Sequence, residues 1–254
     1  MSTKPGEDQI VPLPVNKANK IYQNLLKRFG HQGWWPLTPK GKFYPVYQTE
    51  ARTSDLSNQE MFEICVGALL TQNTAWSNVV KALVELNKAG VLTPQKLVKI
   101  SFSRMAGLIR SSGYFRQKSK RLKIFVKVLI KRYQGDLNKI FSKPLVEARK
   151  ELLACYGFGP ETVDSILLYA GAYPIFVVDA YTRRIGNRVG LFHTEDYSQI
   201  QEYFQSYLKK SVKLFNEYHA LLVQLGKEFC RTKPLCEGCP LNKDCAYYLG
   251  ESLN

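Results

Sequence analysis

The chain has no apolar run approaching the roughly 20 residues that a transmembrane helix needs, and no lysine-rich amphipathic anchor stands out. Its opening, MSTKPGEDQIVPLPVNKANK, lacks the apolar core of a signal peptide. The expectation is a chain without a membrane role, kept in a reducing cytoplasmic compartment. There, six cysteines bind metal or remain free rather than pairing as three disulfides. Convincing strand patterns and internal repeats are also missing, which favours an all-α architecture. Acidic residues are scarce: 21 Asp and Glu stand against 36 Lys and Arg, giving a net charge of +15. That excess is spread along the chain instead of being confined to a tail. It favours a polyanionic partner, because basic groups that neutralise phosphates release bound counterions. With 254 residues, 45% of them hydrophobic, there is enough chain for one large core or two modest ones.

Residues 1–15 read as a polar, proline-bearing arm, followed by a basic amphipathic helix over 17–29. Trp34 and Trp35 then share one short loop, an unusual investment for a surface connection, and 37–58 read as irregular. From Gln59 to Leu70 the pattern is apolar nearly all round, so this helix is buried. Thr74 is placed to cap the next helix, and Thr93-Pro94 starts a short one with cap and proline. A helix over about 101–111 follows. A long basic helix, RQKSKRLKIFVKVLIKRY, then buries Leu122, Phe125 and Leu129 and leaves Lys118, Lys120, Arg121 and Lys123 toward solvent or phosphate. Helices are expected at about 180–189, 196–209 and 212–229.

The centre of the chain is Tyr156-Gly157-Phe158-Gly159-Pro160, between a helix running from Pro144 and another carrying Val163, Ile166, Leu167 and Ala170 at helical spacing. Two glycines two apart make a tight hairpin whose backbone N–H groups can converge on an anion at the second helix's N-terminus. Such a hairpin grips phosphate without reading a base. Eighteen residues beyond Glu161, after the apolar run 175–178, stands Asp179 at the start of the next helix. Taken alone, the glycines could be an ordinary turn and Asp179 a plain N-cap.

Near the C-terminus Cys230, Cys236, Cys239 and Cys245 read C-x5-C-x2-C-x5-C. Four thiolates this close need a cation to offset their repulsion, and structural zinc and an iron-sulfur cluster both satisfy the requirement. Cys65 and Cys155 lie on apolar helix faces and read as core thiols. Arg231, Lys233 and Lys243, inside the cluster, are either solubilising charge or contacts to a polyanion.

Hairpin, following Asp and cysteine loop, in this order and separation, resemble the helix-hairpin-helix DNA glycosylase superfamily over roughly residues 55–250. The loop is similar to the [4Fe-4S] loop of its endonuclease III branch, with a first gap one residue shorter. GPET and DSILLYA, VVDAYTRR, GALLTQNT and WWP resemble the monofunctional 3-methyladenine glycosylases of that branch. The resemblance implies a two-lobed all-α fold. One lobe is a helical barrel over 58–165; the other combines 16–57 with 166–254 and carries the iron-sulfur loop at 228–246.

It also implies roles. Asp179 is the catalytic carboxylate, stabilising positive charge on the sugar and orienting water. Cys230, Cys236, Cys239 and Cys245 hold a structural [4Fe-4S] cluster, and a monovalent cation is a second expectation at the hairpin. Gly157, Phe158, Gly159, Arg231 and Lys233 contact DNA, while Gln72 fills the hole left by an extruded nucleotide. Trp76 lies under the flipped base, with Trp34 and Trp35 as pocket wall; their ordinary alternative is core packing. In bifunctional relatives a lysine ends the run Gly-Val-Gly-Arg-Lys and attacks the sugar. Here Glu161 holds that position at the pocket, and a carboxylate cannot form the imine. The expected activity is excision of 3-methyladenine and 7-methylguanine from duplex DNA by a monomeric, nucleoid-associated enzyme. A bifunctional oxidised-pyrimidine glycosylase, an adenine or mismatch glycosylase and a non-catalytic DNA-binding scaffold are the alternatives.

Overall fold

The computed structural model describes residues 16–48 and 55–250. The expected N-terminal arm, part of the irregular connection (49–54) and residues 251–254 lie outside the described residues. Those described are helical, with no strand beyond an isolated antiparallel pairing of Leu37 with Val46. None of their helices is long and apolar enough to cross a membrane.

The chain divides into two compact units, one taking in residues up to Gln32 and from Phe176 onward, the other running Gly33–Ile175. In the latter, α2 (Asn58–Leu70) is the hub: every residue from Met61 to Leu70 is buried. Ser57 and Glu60 form a reciprocal capping box that sets its start. Around it pack α3 (Trp76–Lys88), α6 (Phe115–Tyr133) and α9 (Pro160–Tyr169). Two short helices, α4 (Pro94–Leu97) and α5 (Phe102–Leu108), lie on α6, and α7 (Asn138–Phe141) leads to α8 (Leu145–Leu153), which packs on α9. Between α8 and α9 the buried Asp164 carboxylate takes a two-pronged ion pair from Arg149, at 2.8 and 3.1 Å.

The other unit is built on α12 (Val212–Glu228), against which lie α1 (Asn16–Phe29) and α10 (Ala180–Val189). Tyr218 of α12 donates its hydroxyl to Ala18 O of α1 at 2.9 Å. Phe176, Phe204 and Phe215 surround it, with the Phe176 and Phe204 rings stacked at 4.0 Å. Phe204 belongs to α11 (Tyr197–Tyr207), and α13 (Ala246–Leu249) closes the described chain. The run 175–178 is buried and forms no strand.

Several local expectations need correction. Segment 33–48, expected with the second lobe, belongs to the Gly33–Ile175 unit. The reason is direct: Trp35 lies against Gly67, where a Cβ would come within 2.8 Å of the indole, and Thr38 donates to buried Glu63 at 2.7 and 3.0 Å. The cap of α3 is Ala75, not Thr74, and makes no side-chain cap bond. Lys118 does not face solvent. It is buried and donates to Leu70 O at 2.8 Å and Ser112 O at 2.6 Å. Lys123 likewise turns inward, to Val98 O at 3.0 Å and to Ile100 O, satisfying carbonyls in the turn after α4.

Candidate functional site

Two groups of residues that the sequence singled out lie in different units. In the Gly33–Ile175 unit the three tryptophans, scattered between positions 34 and 76, converge. Ring centroids are 5.3 Å apart for Trp34 and Trp35, 5.0 Å for Trp34 and Trp76, and 5.1 Å for Trp35 and Trp76. Tyr47 meets Trp34 at 5.9 Å and Tyr169, from the end of α9, meets Trp35 at 5.3 Å. Trp35 is buried, while Trp34 and Trp76 keep part of their surface in water. Edge and tilted contacts point ring edges at the electron-rich faces of neighbours, so the cluster as a whole offers negative quadrupole to a cation or an electron-poor ring.

The hairpin adjoins α6 through Arg121. Gly157 has φ +81°, and a Cβ there would lie 2.4–2.6 Å from the Arg121 side chain, so only glycine accepts both the turn and the overlying arginine. Arg121 donates to Oε1 of Gln72. Gln72 Nε2 in turn donates to Gly157 O at 3.0 Å and Thr162 Oγ1 at 2.9 Å. Gln72, expected as a wedge, is here a strut holding the turn after α2 to the hairpin. Gly159 is the N-cap of α9, with Pro160 in its first turn and Glu161 exposed beside it. Phe158, expected among the DNA contacts, has its side chain in the core, 5.1 Å from the Phe125 ring, and its N–H already bonds Cys155 O at 3.1 Å. Its role is to anchor the hairpin from beneath.

In the other unit Asp179 is the N-cap of α10: Oδ1 accepts from Thr182 N at 2.7 Å and Thr182 Oγ1 at 2.9 Å. Its other oxygen, Oδ2, lies 3.6 Å from His219 Nε2 on α12, and both side chains are 13% exposed. Burial alone would raise the carboxyl, but His219 and the Thr182 donors outweigh it and hold Asp179 below its ordinary value. It is therefore a carboxylate at neutral pH. Lys227, further along α12, is lowered by burial and raised in part by the charge of Asp179.

The four loop cysteines line one small pocket together with Ile185, Leu225 and Leu241. Burial raises Cys239, and the mutual charge of Cys230, Cys245 and Cys236 adds to it, so the four sulfurs face a common space. Arg188 of α10 reaches Cys230 Sγ at 3.5 Å, Arg231 O at 2.6 Å and Thr232 O at 3.0 Å. Arg184 adds a bond to Cys230 O at 2.9 Å. Among the described residues no three His, Cys, Asp or Glu groups are gathered as tightly as a single ion requires. Four thiols around a shared apolar pocket, with a guanidinium on one sulfur, fit a polynuclear iron-sulfur group. Arg231 folds back on Lys227 O at 2.8 Å, and Lys233 is exposed.

Residues 66–210 match the HhH-GPD superfamily base excision DNA repair protein family. The chain belongs to that superfamily. It is 39% identical over 229 residues, 89% of this chain and 94% of the relative, to a Methanocaldococcus jannaschii protein whose name assigns it provisionally to the DNA repair glycosylases. Endonuclease III of Thermotoga maritima is 29% identical over 188 residues, 74% of this chain and 83% of its own. The crystal structure of the H. pylori 3-methyladenine DNA glycosylase bound to 1,N6-ethenoadenine is similar with a TM-score of 0.65 at 26% identity. It covers 85% of this chain and 98% of that one.

This base-excision DNA glycosylase carries residues at its candidate site that sequence reasoning did not pick out. Tyr47 and Tyr169 join the indole cluster, Arg121 covers the hairpin, and His219 stands at Asp179. His219 had one local signal: it sits in the otherwise buried run 215–222 of α12, where a polar ring needs a partner.

Proposed function

We propose that the protein is a monofunctional glycosylase that hydrolytically excises alkylated purines, 3-methyladenine foremost and 7-methylguanine second, from duplex DNA. The observation that carries this reading is the convergence of three indoles within about 5 Å of one another. An alkylated purine is cationic and already a good leaving group, so it needs little acid assistance. What selects it is an electron-rich aromatic surface. Trp34, Trp35 and Trp76 supply that surface. The likeness to a structure named as a 3-methyladenine glycosylase supports the same substrate class.

Asp179, kept ionised, stabilises the positive charge that develops on the sugar as the base departs with the bonding electrons. Water then adds to the anomeric carbon and gives up a proton. Glu161, at the position where the bifunctional relatives carry their lysine, has no amine with which to form an imine, so the strand stays intact. Gly157 and Gly159 present backbone to a phosphate, with Arg121 as the nearest cation, and Arg231 and Lys233 add contacts from the loop. Cys230, Cys236, Cys239 and Cys245 hold a [4Fe-4S] cluster whose contribution is to cross-link the loop.

The test is incubation with methylated duplex DNA, following released bases by chromatography and strand breaks before and after alkali. Methylated purines should appear, with breaks only after alkali treatment. Breaks without alkali, or release of oxidised pyrimidines alone, would overturn the reading.

A further inference from the structure

We propose that His219 is a catalytic residue that seats the hydrolytic water together with Asp179. Asp179 cannot offer both oxygens to the reaction: Oδ1 is committed to Thr182 N and Thr182 Oγ1, at 2.7 and 2.9 Å, as the cap of α10. Catalysis by this carboxylate therefore runs through Oδ2. The group standing at Oδ2 is Nε2 of His219, at 3.6 Å. That separation is too long for a direct hydrogen bond, whose N–H···O distance peaks near 2.9 Å. It is the separation at which one water, bonded to each atom at about 2.8 Å, bridges the two. A second anchor matters because a carboxylate oxygen alone lets a bound water swing. Two anchors fix its position and aim a lone pair outward, and such placement of a reactant is a large part of enzymatic rate enhancement.

The imidazole is itself held firmly. Its neighbour Tyr218 is fully buried among Phe176, Phe204 and Phe215 and hydrogen-bonded to Ala18 O at 2.9 Å, and Ala220, Leu221 and Leu222 are buried. His219 thus enters the site from the best-packed stretch of α12, while Asp179 enters from the first turn of α10. Lys227 supplies a further positive charge near the carboxylate and keeps it ionised. The step balances simply. The C1′–N bond breaks with its electron pair leaving on the base, water oxygen bonds to C1′, and the displaced proton passes to the Asp179–His219 pair.

This inference rests on the hydrolytic reading above but not on which base is removed. His219→Ala and His219→Gln would be compared with the native protein in single-turnover assays on three duplexes, containing methylated purine, oxidised pyrimidine or an adenine mismatch. Whichever base the native enzyme releases decides the substrate reading, and the rate ratio on that base decides the role of His219. His219→Ala should slow release about a hundredfold with unchanged affinity for DNA carrying a stable abasic analogue and unchanged Tm. Gln keeps a side-chain N–H of similar reach and should restore part of the rate. Release by His219→Ala at the native rate, or a loss that tracks Tm or DNA affinity, would overturn the proposal. So would a native protein that releases no base from any of the three.

Discussion

At the residue scale, Asp179 carries two duties that can be separated. As an N-cap it holds the first turn of α10; as a carboxylate it supplies charge. Asn caps a helix about as well as Asp, so Asp179→Asn should keep Tm near neutral pH close to the native value while slowing base release at least about a hundredfold. Equal rates would remove Asp179 from the chemistry. The same substitution has a pH signature. Because the folded carboxyl sits below its ordinary value, its stabilising contribution is present above the unfolded value and is lost as pH falls through the lowered folded one. Urea midpoints measured across the acid range should therefore fall less steeply in Asp179→Asn. The cap itself was legible from an Asp preceding a helical pattern, whereas its partner His219, 40 positions downstream, was not.

At the scale of elements, Lys118 shows how a charged residue can belong to the framework. Its Nζ ties the C-terminal end of α2 to the turn before α6, donating to Leu70 O and Ser112 O. Burial, then the charge of Arg121, lowers it to about 8. Below that value the folded state holds a charged lysine that the unfolded chain would hold more readily; between about 8 and the ordinary 10.5 the unfolded state binds the extra proton. Stability should therefore rise with pH over that interval, and Lys118→Met should flatten the rise. Met also leaves two carbonyls without their donor, costing about 1–3 kcal/mol each at most. Thermal melts of both proteins from pH 7 to 10 would check this, and parallel curves would refute it. The helical periodicity of α6 was readable because Leu122, Phe125 and Leu129 mark its buried side. The inward turn of Lys118 was not, since a long aliphatic stem reads equally well as snorkelling toward water.

At the scale of the whole molecule, the four loop cysteines and Asp179 belong to one compact unit, and the indole cluster and hairpin to the other. Loss of the proposed cluster should therefore act unevenly. The protein purified without oxygen should contain about four iron and four sulfide per chain. After iron is stripped, limited proteolysis should open the loop between Cys230 and Cys245, with the Gly33–Ile175 unit still protected. Stoichiometric zinc in a colourless preparation, or equal protection of the loop with and without iron, would contradict the assignment. Basic charge belongs to this scale as well: +15 over 254 residues marks a polyanion partner without saying where it binds.

The sequence by itself determined the helical class, the hairpin, the cysteine loop and hence the superfamily, because each depends on spacing along the chain: the 3.6-residue period, two glycines two apart, four cysteines within one loop. Tertiary structure alone decided which side chains meet. Gln72 is a strut because Gly157 O and Thr162 lie across from it, 85 and 90 positions away. Phe158 is core because Phe125 packs over it. The tryptophans at 34, 35 and 76 form one aromatic surface because α3 begins where the loop on Gly67 ends its path. Local propensity acts through neighbours in sequence; burial, ion pairing and ring packing act through neighbours in space, and only the folded chain specifies those.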